Sequence, residues 1–133
     1  MKQRVNTRFR GASWNETELA AAAGAPKMTR ASVENVYEGD IAGRGALEYL
    51  MAYNQAGNAA FVGLERITGS VLGRAGSFVL EHRGTYGQDG VRIELVVLPG
   101  AGSGELAGLL GRGTFASGHA ELYDLALDLE LPD

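Results

Sequence analysis

The sequence contains no cysteine and only two histidines among its 133 residues. The absence of cysteine excludes disulfide bonds, thiol nucleophiles and cysteine-ligated metals, although it does not identify the cellular compartment. His82 and His119 lack the spacing that is typical of a zinc site. We therefore expect the protein to use neither a metal ion nor a cofactor.

Long apolar runs and an excess of positive charge are absent as well. No apolar segment approaches the ~20 residues of a membrane helix, and the start at Met1–Asn6 lacks the apolar run of a signal peptide. The net charge is -4, from 12 basic and 16 acidic residues, which disfavours binding to nucleic acid or to anionic membranes. We expect a cytoplasmic protein that binds neither of them.

Glycine, by contrast, is abundant, with 20 residues in the chain. Many of these glycines interrupt apolar segments, where glycine often marks a bulge or a tight bend, as at the corners of a barrel. The chain is 45% hydrophobic and 21% charged, which is typical of a globular protein. Its length suffices for one domain with one core, so residues 1–133 are expected to form a single domain.

The clearest pattern is an alternation of apolar and polar residues over Phe61–Tyr86, interrupted near Gly73–Gly76. Because successive side chains of a strand point to opposite faces, this pattern predicts two antiparallel strands joined by a turn. Each apolar face contains one ionisable residue, Glu65 in the first strand and His82 in the second.

Alternation predicts strands in the rest of the chain too. These strands cover Lys2–Trp14, Met28–Glu38, Ile41–Tyr53, Val91–Leu98, Gly113–Ser117 and Glu121–Leu131. A loop over Asn15–Lys27 follows the first strand, and the sequence allows short helical turns at Ala20–Ala23 and Glu105–Leu109. About eight strands with almost no helix are typical of an all-β barrel or sandwich.

The charges of the first and last strands favour a closed antiparallel β-barrel. Basic residues occupy the outer face of the first strand, and acidic residues occupy that of the last one. The basic residues are Arg4, Arg8 and Arg10, and the acidic ones are Asp124, Asp128 and Glu130. Closing the sheet would make these strands neighbours, pair their opposite charges and remove both sheet edges.

Glu65 and His82 are the candidate catalytic residues. Both lie on the inward faces of strands predicted to be adjacent, so we expect hydrogen bonding between them. In an apolar cavity, a carboxylate and an imidazole can act as an acid–base pair. The alternative is a buried strut that holds the two strands in register.

Aromatic side chains are the candidate ligand-binding residues. They are Trp14, Tyr37, Tyr49, Tyr53, Phe61, Phe78 and Tyr123. Tyrosine hydroxyls in a cavity can bind a carbonyl or epoxide oxygen, whereas the alternative is a core aromatic with its hydroxyl at the barrel mouth. Trp14 could cover an opening or simply pack, and His119 falls in a turn that we expect to be solvated.

A glycine-rich loop at Gly100–Gly104 follows the strand that ends at Leu98. It lacks the third glycine of the dinucleotide fingerprint and the lysine of a phosphate-binding loop. The loop therefore indicates a structural corner that satisfies its own backbone groups rather than a nucleotide site.

Five segments together resemble the bacterial DUF3224 family. They are Trp14–Glu16, Glu38–Gly43, Phe61–Arg66, Gly73–Leu80 and Pro99–Gly113. The resemblance implies the fold of plant allene oxide cyclase, a small antiparallel barrel with a central cavity, but no assigned function. The cyclase's catalytic residues do not map by motif, so none is transferred, and this chain has Ala101 and Ser103 where the family tends to have serine and threonine.

Three functions are compatible with such a barrel. The first is a cofactor-free isomerase, cyclase or lyase that acts on a small hydrophobic molecule, with Glu65, His82 or a tyrosine moving a proton. The second is a non-catalytic binder or carrier of such a molecule. The third is a structural role with a filled interior, and a homo-oligomer is compatible with each of them.

Overall fold

Nine strands make up the computed structural model, which describes residues 1–133. They are β1 (Lys2–Glu18), β2 (Met28–Gly39), β3 (Ile41–Tyr53), β4 (Ala59–Val71), β5 (Arg74–Gly87), β6 (Gly90–Val97), β7 (Ser103–Gly104), β8 (Leu110–Ser117) and β9 (Tyr123–Glu130). The structure contains no helix with the length and apolarity needed to cross a membrane.

Eight of these strands form a closed antiparallel ring. The order around it is β1, β2, β3, β4, β5, β6, β8 and β9, and pairing of β9 with β1 completes the circle. The ninth strand, β7, contributes two residues that pair with β5. The closed antiparallel β-barrel of about eight strands, predicted from the alternation and from the charges of the terminal strands, is confirmed. A ring of this kind leaves no free edge among its main strands.

The apolar residues of the alternating segments point into the barrel. Ile67 and Val71 of β4 and Phe78 and Leu80 of β5 are almost completely buried, whereas Arg66 and Thr68 on either side of Ile67 are exposed. They belong to a single cluster of 24 buried residues drawn from around the ring. The hydrophobic burial of this one cluster supplies the main driving force for closure.

The first and last strands are neighbours, as the charge pattern predicts. Arg4 lies opposite Asp128 and Arg8 opposite Asp124, and Arg8 Nε is 3.1 Å from Asp124 Oδ1. These side chains are largely exposed, so each pair contributes less than about 1 kcal/mol. The pairs are compatible with this register and favour it slightly, while the hydrogen-bond ladder and the buried inward residues close the barrel.

The end of the first strand was predicted wrongly. Strand β1 continues to Glu18 rather than stopping at Trp14, and pairs with β2 along this extension. A bulge between Gly11 and Ser13 shifts the register there. A bulge places one extra residue in a strand, so inward and outward positions are exchanged beyond it. The residues after the bulge therefore no longer follow the alternation of Lys2–Arg10, and the sequence did not indicate that the strand continues.

Neither of the allowed helical turns forms. The alanines at Ala20–Ala23 lie in an exposed connection between β1 and β2. The segment at Glu105–Leu109 is a succession of tight turns, in which Leu106 N–H donates to Ser103 and Leu109 N–H donates to Leu106. Helices this short gain too few hydrogen bonds to offset the entropy of nucleation.

The connection between β6 and β8 fills one end of the barrel. Leu106 and Leu109 in it are almost completely buried. Its backbone is attached to β5, because Glu105 N–H donates to Ala75 O over 2.8 Å and Ser77 N–H donates to Ser103 Oγ over 3.1 Å. The glycine-rich loop therefore belongs to a corner that closes this end, and only the opposite end of the barrel is open.

Substitution of Leu106 by alanine tests this closed end. We expect Leu106→Ala to lower the free energy of unfolding by about 2–5 kcal/mol, because it leaves a cavity beneath the corner. Leu110→Ala is the matched control, since Leu110 is 40% exposed and should change stability by less than about 1 kcal/mol. Urea unfolding followed by circular dichroism measures both, and equal losses would contradict the packing described for the corner.

Candidate functional site

A cavity of about 920 Å³ occupies the open half of the barrel. Its sides are mainly apolar and include Val33, Leu47, Leu80, Ile93, Leu95 and Leu125. The volume lies in the range of pockets that hold a small organic molecule. The barrel is thus filled at one end and hollow at the other.

Five polar side chains form a continuous hydrogen-bonded network at the inner wall of this cavity. The polar network consists of Asn35, Tyr37, Tyr49, Glu65 and His82. Glu65 Oε1 lies 2.9 Å from His82 Nε2 and 2.9 Å from the Tyr37 hydroxyl, and Glu65 Oε2 lies 3.0 Å from Asn35 Nδ2 and 2.8 Å from the same hydroxyl. On the other side of the imidazole, Tyr49 Oη lies 2.8 Å from His82 Nδ1.

The five residues are not equally placed. Glu65 is completely buried and lies behind the cavity wall, whereas the other four line the cavity. An unpaired buried carboxylate would cost several kcal/mol, but this one accepts hydrogen bonds from Asn35, Tyr37 and His82. No buried side-chain nitrogen or oxygen of the protein lacks a hydrogen-bond partner.

The hydrogen bonds are compatible with a neutral imidazole between Tyr49 and an ionised Glu65. In that arrangement the Glu65 carboxylate accepts from His82 Nε2, and His82 Nδ1 accepts from the Tyr49 hydroxyl. Burial and the nearby Glu65 charge raise the pKa of Tyr49 and of Tyr37 well above the value of free tyrosine, so both hydroxyls keep their protons.

Two inward-facing glycines make room for the network. An alanine Cβ at Gly45 would lie 2.0 Å from Glu65 Oε2, so the carboxylate occupies the space that a side chain there would fill. A Cβ at Gly63 would lie 2.6 Å from Tyr49 Cδ1. Gly63 stands between Tyr49 and His82 in the register, and its missing side chain lets the tyrosine ring reach across one strand to the imidazole.

A second polar group surrounds the cavity mouth, the open end bounded by Trp14, Glu16, Tyr53 and Tyr86. Glu16 Oε1 accepts from Trp14 Nε1 over 3.1 Å, and Oε2 accepts from Thr29 Oγ1 over 2.6 Å and from the Tyr53 hydroxyl. The bulge in β1 causes this arrangement, because it turns Trp14 and Glu16 towards the same side as Phe9. Without the extra residue, both side chains would face outwards.

The charges at the mouth follow from these contacts. Partial burial opposes ionisation of Glu16, but hydrogen bonds from Thr29, Tyr53 and Trp14 outweigh it and lower the pKa of this carboxyl below 4.5. Burial and the hydrogen bond to Glu16 raise the pKa of Tyr53 to about 12. At neutral pH Glu16 therefore carries a negative charge at the mouth, next to the intact phenol of Tyr53.

Most of the predicted site residues meet at this cavity. It is lined by Trp14, Tyr37, Tyr49, Tyr53, Phe61, His82 and Tyr123. Glu65 lies behind the wall, in hydrogen-bonding reach of His82 as expected. Phe78 was misplaced, because it lies opposite Ile67 in the packed core and is not part of the cavity wall.

Asn35 and Glu16 are among the site residues that were missed, and His119 was only partly described. Asn35 sits on the inward face between Val33 and Tyr37, so a polar residue on an apolar face was the available signal. Glu16 carried no signal, since only the bulge turns it inwards. His119 is exposed, as expected, but it lies at the cavity mouth. No three histidine, aspartate or glutamate side chains come close enough to hold a metal ion.

Comparison with known proteins identifies relatives without a known activity. A family model described as "Protein of unknown function (DUF3224)" matches residues 5–129. A protein with unknown function from the DUF3224 family of Shewanella oneidensis MR-1 is 27% identical, with a TM-score of 0.79 over 100% of this chain and 99% of that one. No curated protein matches. The likeness to allene oxide cyclase stays a prediction.

Replacement of Gly45 tests the dependence of the polar network on a missing side chain. We expect Gly45→Ala to lower the free energy of unfolding by about 3 kcal/mol, because the new methyl group displaces the Glu65 carboxylate from its donors. Gly11→Ala is the matched control, since Gly11 flanks Asn35 from the opposite strand and a Cβ there meets nothing within 4 Å. Urea unfolding compares the variants, and a Gly45→Ala protein as stable as the control would contradict the arrangement.

Protonation of Glu16 should be visible through Trp14, the single tryptophan of the chain. A carboxyl whose pKa is lowered by folding stabilises the folded state above its unfolded pKa, and this contribution is lost as the pH falls through the folded pKa. We therefore expect the Trp14 fluorescence to change with a midpoint below pH 4.5, and Glu16→Gln to remove this transition. A midpoint above that value, with the far-ultraviolet spectrum unchanged, would contradict the hydrogen bonding at the mouth.

Proposed function

The chain belongs to the DUF3224 family, whose description assigns no function, and we propose that it is a cofactor-independent isomerase, cyclase or lyase acting on a small hydrophobic molecule. The observation that carries the proposal is the line of hydrogen bonds from Tyr49 through His82 to Glu65. This line begins at the wall of an apolar cavity and ends at a carboxylate behind it. Such an order of groups suits the transfer of a proton to and from a bound molecule.

Proton removal would begin at the Tyr49 oxygen. This oxygen accepts a proton from a carbon of the substrate while its own hydroxyl proton passes to His82 Nδ1. The imidazole thereby becomes positively charged, and the Glu65 carboxylate at Nε2 stabilises that charge, as an acidic residue does for the histidine of a catalytic triad. The negative charge left on the substrate is spread over an adjacent carbonyl.

Proton return would reverse these movements at a different atom of the substrate. The imidazolium gives its Nδ1 proton back to the Tyr49 oxygen, and the tyrosine proton goes to the new carbon or to the oxygen. The protein ends in its starting state, the substrate keeps its composition, and no electrons are exchanged. An isomerisation or a ring closure needs no cofactor under this scheme, and a lyase reaction needs only a leaving group beside the anion.

The cavity wall supports the choice of an apolar substrate. Phe61 and Tyr49 lie with their ring centroids 4.7 Å apart, and Phe9, Phe115 and Tyr123 form a second aromatic group. Such a wall favours the burial of apolar surface and leaves the Tyr49 oxygen, which donates its proton to His82, as a polar atom that can accept from a bound molecule. Water displaced from this space would strengthen the electrostatic interactions of the network.

A second candidate function, non-catalytic binding, is favoured by the satisfaction of the network within the protein. Glu65 already receives hydrogen bonds from three side chains, as a structural strut would. In that case the cavity would hold or carry a hydrophobic molecule without changing it. Removal of the Tyr49 hydroxyl distinguishes the two functions. It should abolish catalysis, whereas a carrier does not require this hydroxyl and should still bind its ligand.

Two measurements test the proposal. Binding is measured by titration with N-phenyl-1-naphthylamine, a neutral apolar fluorophore, and we expect saturable binding to the cavity. Proton transfer is measured by NMR in D₂O as deuterium incorporation next to the carbonyl of small apolar ketones. We expect the protein to accelerate exchange, and Tyr49→Phe and Glu65→Gln to reduce the rate by about 10²-fold or more while the proteins stay folded.

The control is Thr85→Val, which removes an exposed hydroxyl from the outer face of β5 and should leave exchange and binding unchanged. Exchange that persists in Tyr49→Phe would refute the proton path. Saturable binding without exchange for any ketone would support the carrier instead. Absence of binding of the fluorophore would contradict both functions.

Three further expectations from the sequence stay predictions. They are the cytoplasmic location, the absence of binding to nucleic acid or membranes, and the compatibility with a homo-oligomer. The mildly acidic charge of -4 supports the second of them.

A further inference from the structure

The cavity mouth has a chemical character that the proposed proton transfer does not use. Glu16 holds its carboxylate there among three hydrogen-bond donors, the Trp14 indole, the Thr29 hydroxyl and the Tyr53 hydroxyl. Donors of this kind stabilise the ionised form of a carboxyl group. A negative charge is therefore held by hydrogen bonds at the entrance of a mainly apolar cavity.

Aromatic rings accompany this charge. Trp14 is 51% exposed and Tyr86 is 49% exposed although both line the cavity. Tyr53 lines it too, and its hydroxyl donates to the Glu16 carboxylate. Both side chains thus present aromatic surface to a molecule that enters the cavity. The faces of such rings attract cations, tryptophan most strongly.

An ammonium group of the protein itself, that of Lys27, already lies over one of these rings, that of Tyr53. Lys27 Nζ lies 4.6 Å from the centroid of the Tyr53 ring, within the distance at which a cation is attracted to an aromatic face. The same ammonium is attracted by the Glu16 charge. Lys27 itself is not among the residues that line the cavity, so the inner surfaces of the rings stay available to a ligand.

The other charged groups of the cavity lining do not reverse this preference. Arg10 and Glu121 also line it, and both are exposed to solvent. Their opposite charges offset one another, and solvent screens them. Glu16 is exposed as well, but unlike Arg10 and Glu121 its carboxylate is held in place by hydrogen bonds from the Trp14 indole and the Tyr53 hydroxyl.

We propose that the cavity mouth is a binding site for an organic ammonium group, so that the ligand of this barrel is an amphiphile with a cationic head and an apolar body. The head, an amine or a quaternary ammonium, lies against Glu16, Trp14, Tyr53 and Tyr86, and the body extends into the cavity towards Tyr49. A fatty acid of the same length is disfavoured, because its carboxylate would meet the Glu16 charge. This inference rests on the proposed function, since it assigns a substrate class to the same cavity.

The test compares three ligands that share one apolar body. Octyltrimethylammonium, 1-octanol and octanoate are titrated at low and equal ionic strength, below the concentrations at which they form micelles, and displacement of N-phenyl-1-naphthylamine reports binding. We expect the cation to bind about fivefold to tenfold more tightly than the alcohol and the carboxylate to bind more weakly than the alcohol. Added salt should reduce the difference between the charged ligands.

Two variants with the same change of charge assign the preference to one residue. Glu16→Gln should bring the affinity for the cation close to that for octanol, while the affinity for octanol changes by less than about twofold. Glu18→Gln is the matched control, because Glu18 lies on the same strand, is exposed and is not part of the cavity lining. It should retain the full preference for the cation.

A third variant keeps the test decisive if Glu16→Gln disturbs the pairing of β1 with β2. Lys27→Gln removes the competing positive charge, and we expect it to strengthen binding of the cation by about twofold without affecting octanol. Cation binding no tighter than octanol binding, or a preference that survives in folded Glu16→Gln, would overturn this inference alone. Failure of octanol itself to bind would instead count against the proposed function.

Discussion

The completely buried carboxylate of Glu65 is the constraint on which the rest of the site depends. Such a group is tolerated inside a protein only when donors surround it. Here the donors come from two other strands, with Asn35 and Tyr37 on β2 and His82 on β5, so Glu65 on β4 joins three strands of the wall. Loss of the correct register between any of these strands would leave the charge unpaired, and the network therefore selects one register.

The space for this network comes from glycine. In a barrel of eight strands, inward side chains normally fill the interior, and a long side chain can cross a neighbouring strand only where that strand lacks one. Gly45 leaves room for the carboxylate of Glu65, and Gly63 leaves room for the ring of Tyr49. Part of the high glycine content thus serves the site directly, because the missing side chains of these two glycines leave space for Glu65 and Tyr49.

The two ends of the barrel differ in their roles: one end is packed and contributes to stability, and the other contains the cavity. At the closed end, Leu106 and Leu109 complete the hydrophobic core. At the open end, a cavity of about 920 Å³ has the polar network in its wall and Trp14, Glu16, Tyr53 and Tyr86 at its mouth. The corner between β6 and β8 is held to β5 by several hydrogen bonds, and its leucines bury apolar surface that the open end leaves unburied.

The sequence by itself determined the strands, the inward faces and the pair of ionisable residues, because alternation with period two is a local property of an extended chain. Opposite charges on the first and last strands likewise indicated closure. Only the tertiary structure decided that Asn35 and Tyr37 complete the Glu65 site, that Phe78 packs away from the cavity, and that Trp14 and Glu16 turn inwards. Those outcomes depend on the stagger between strands and on one inserted residue in β1, and neither leaves a periodic signal in the sequence, since both arise from pairing between distant segments.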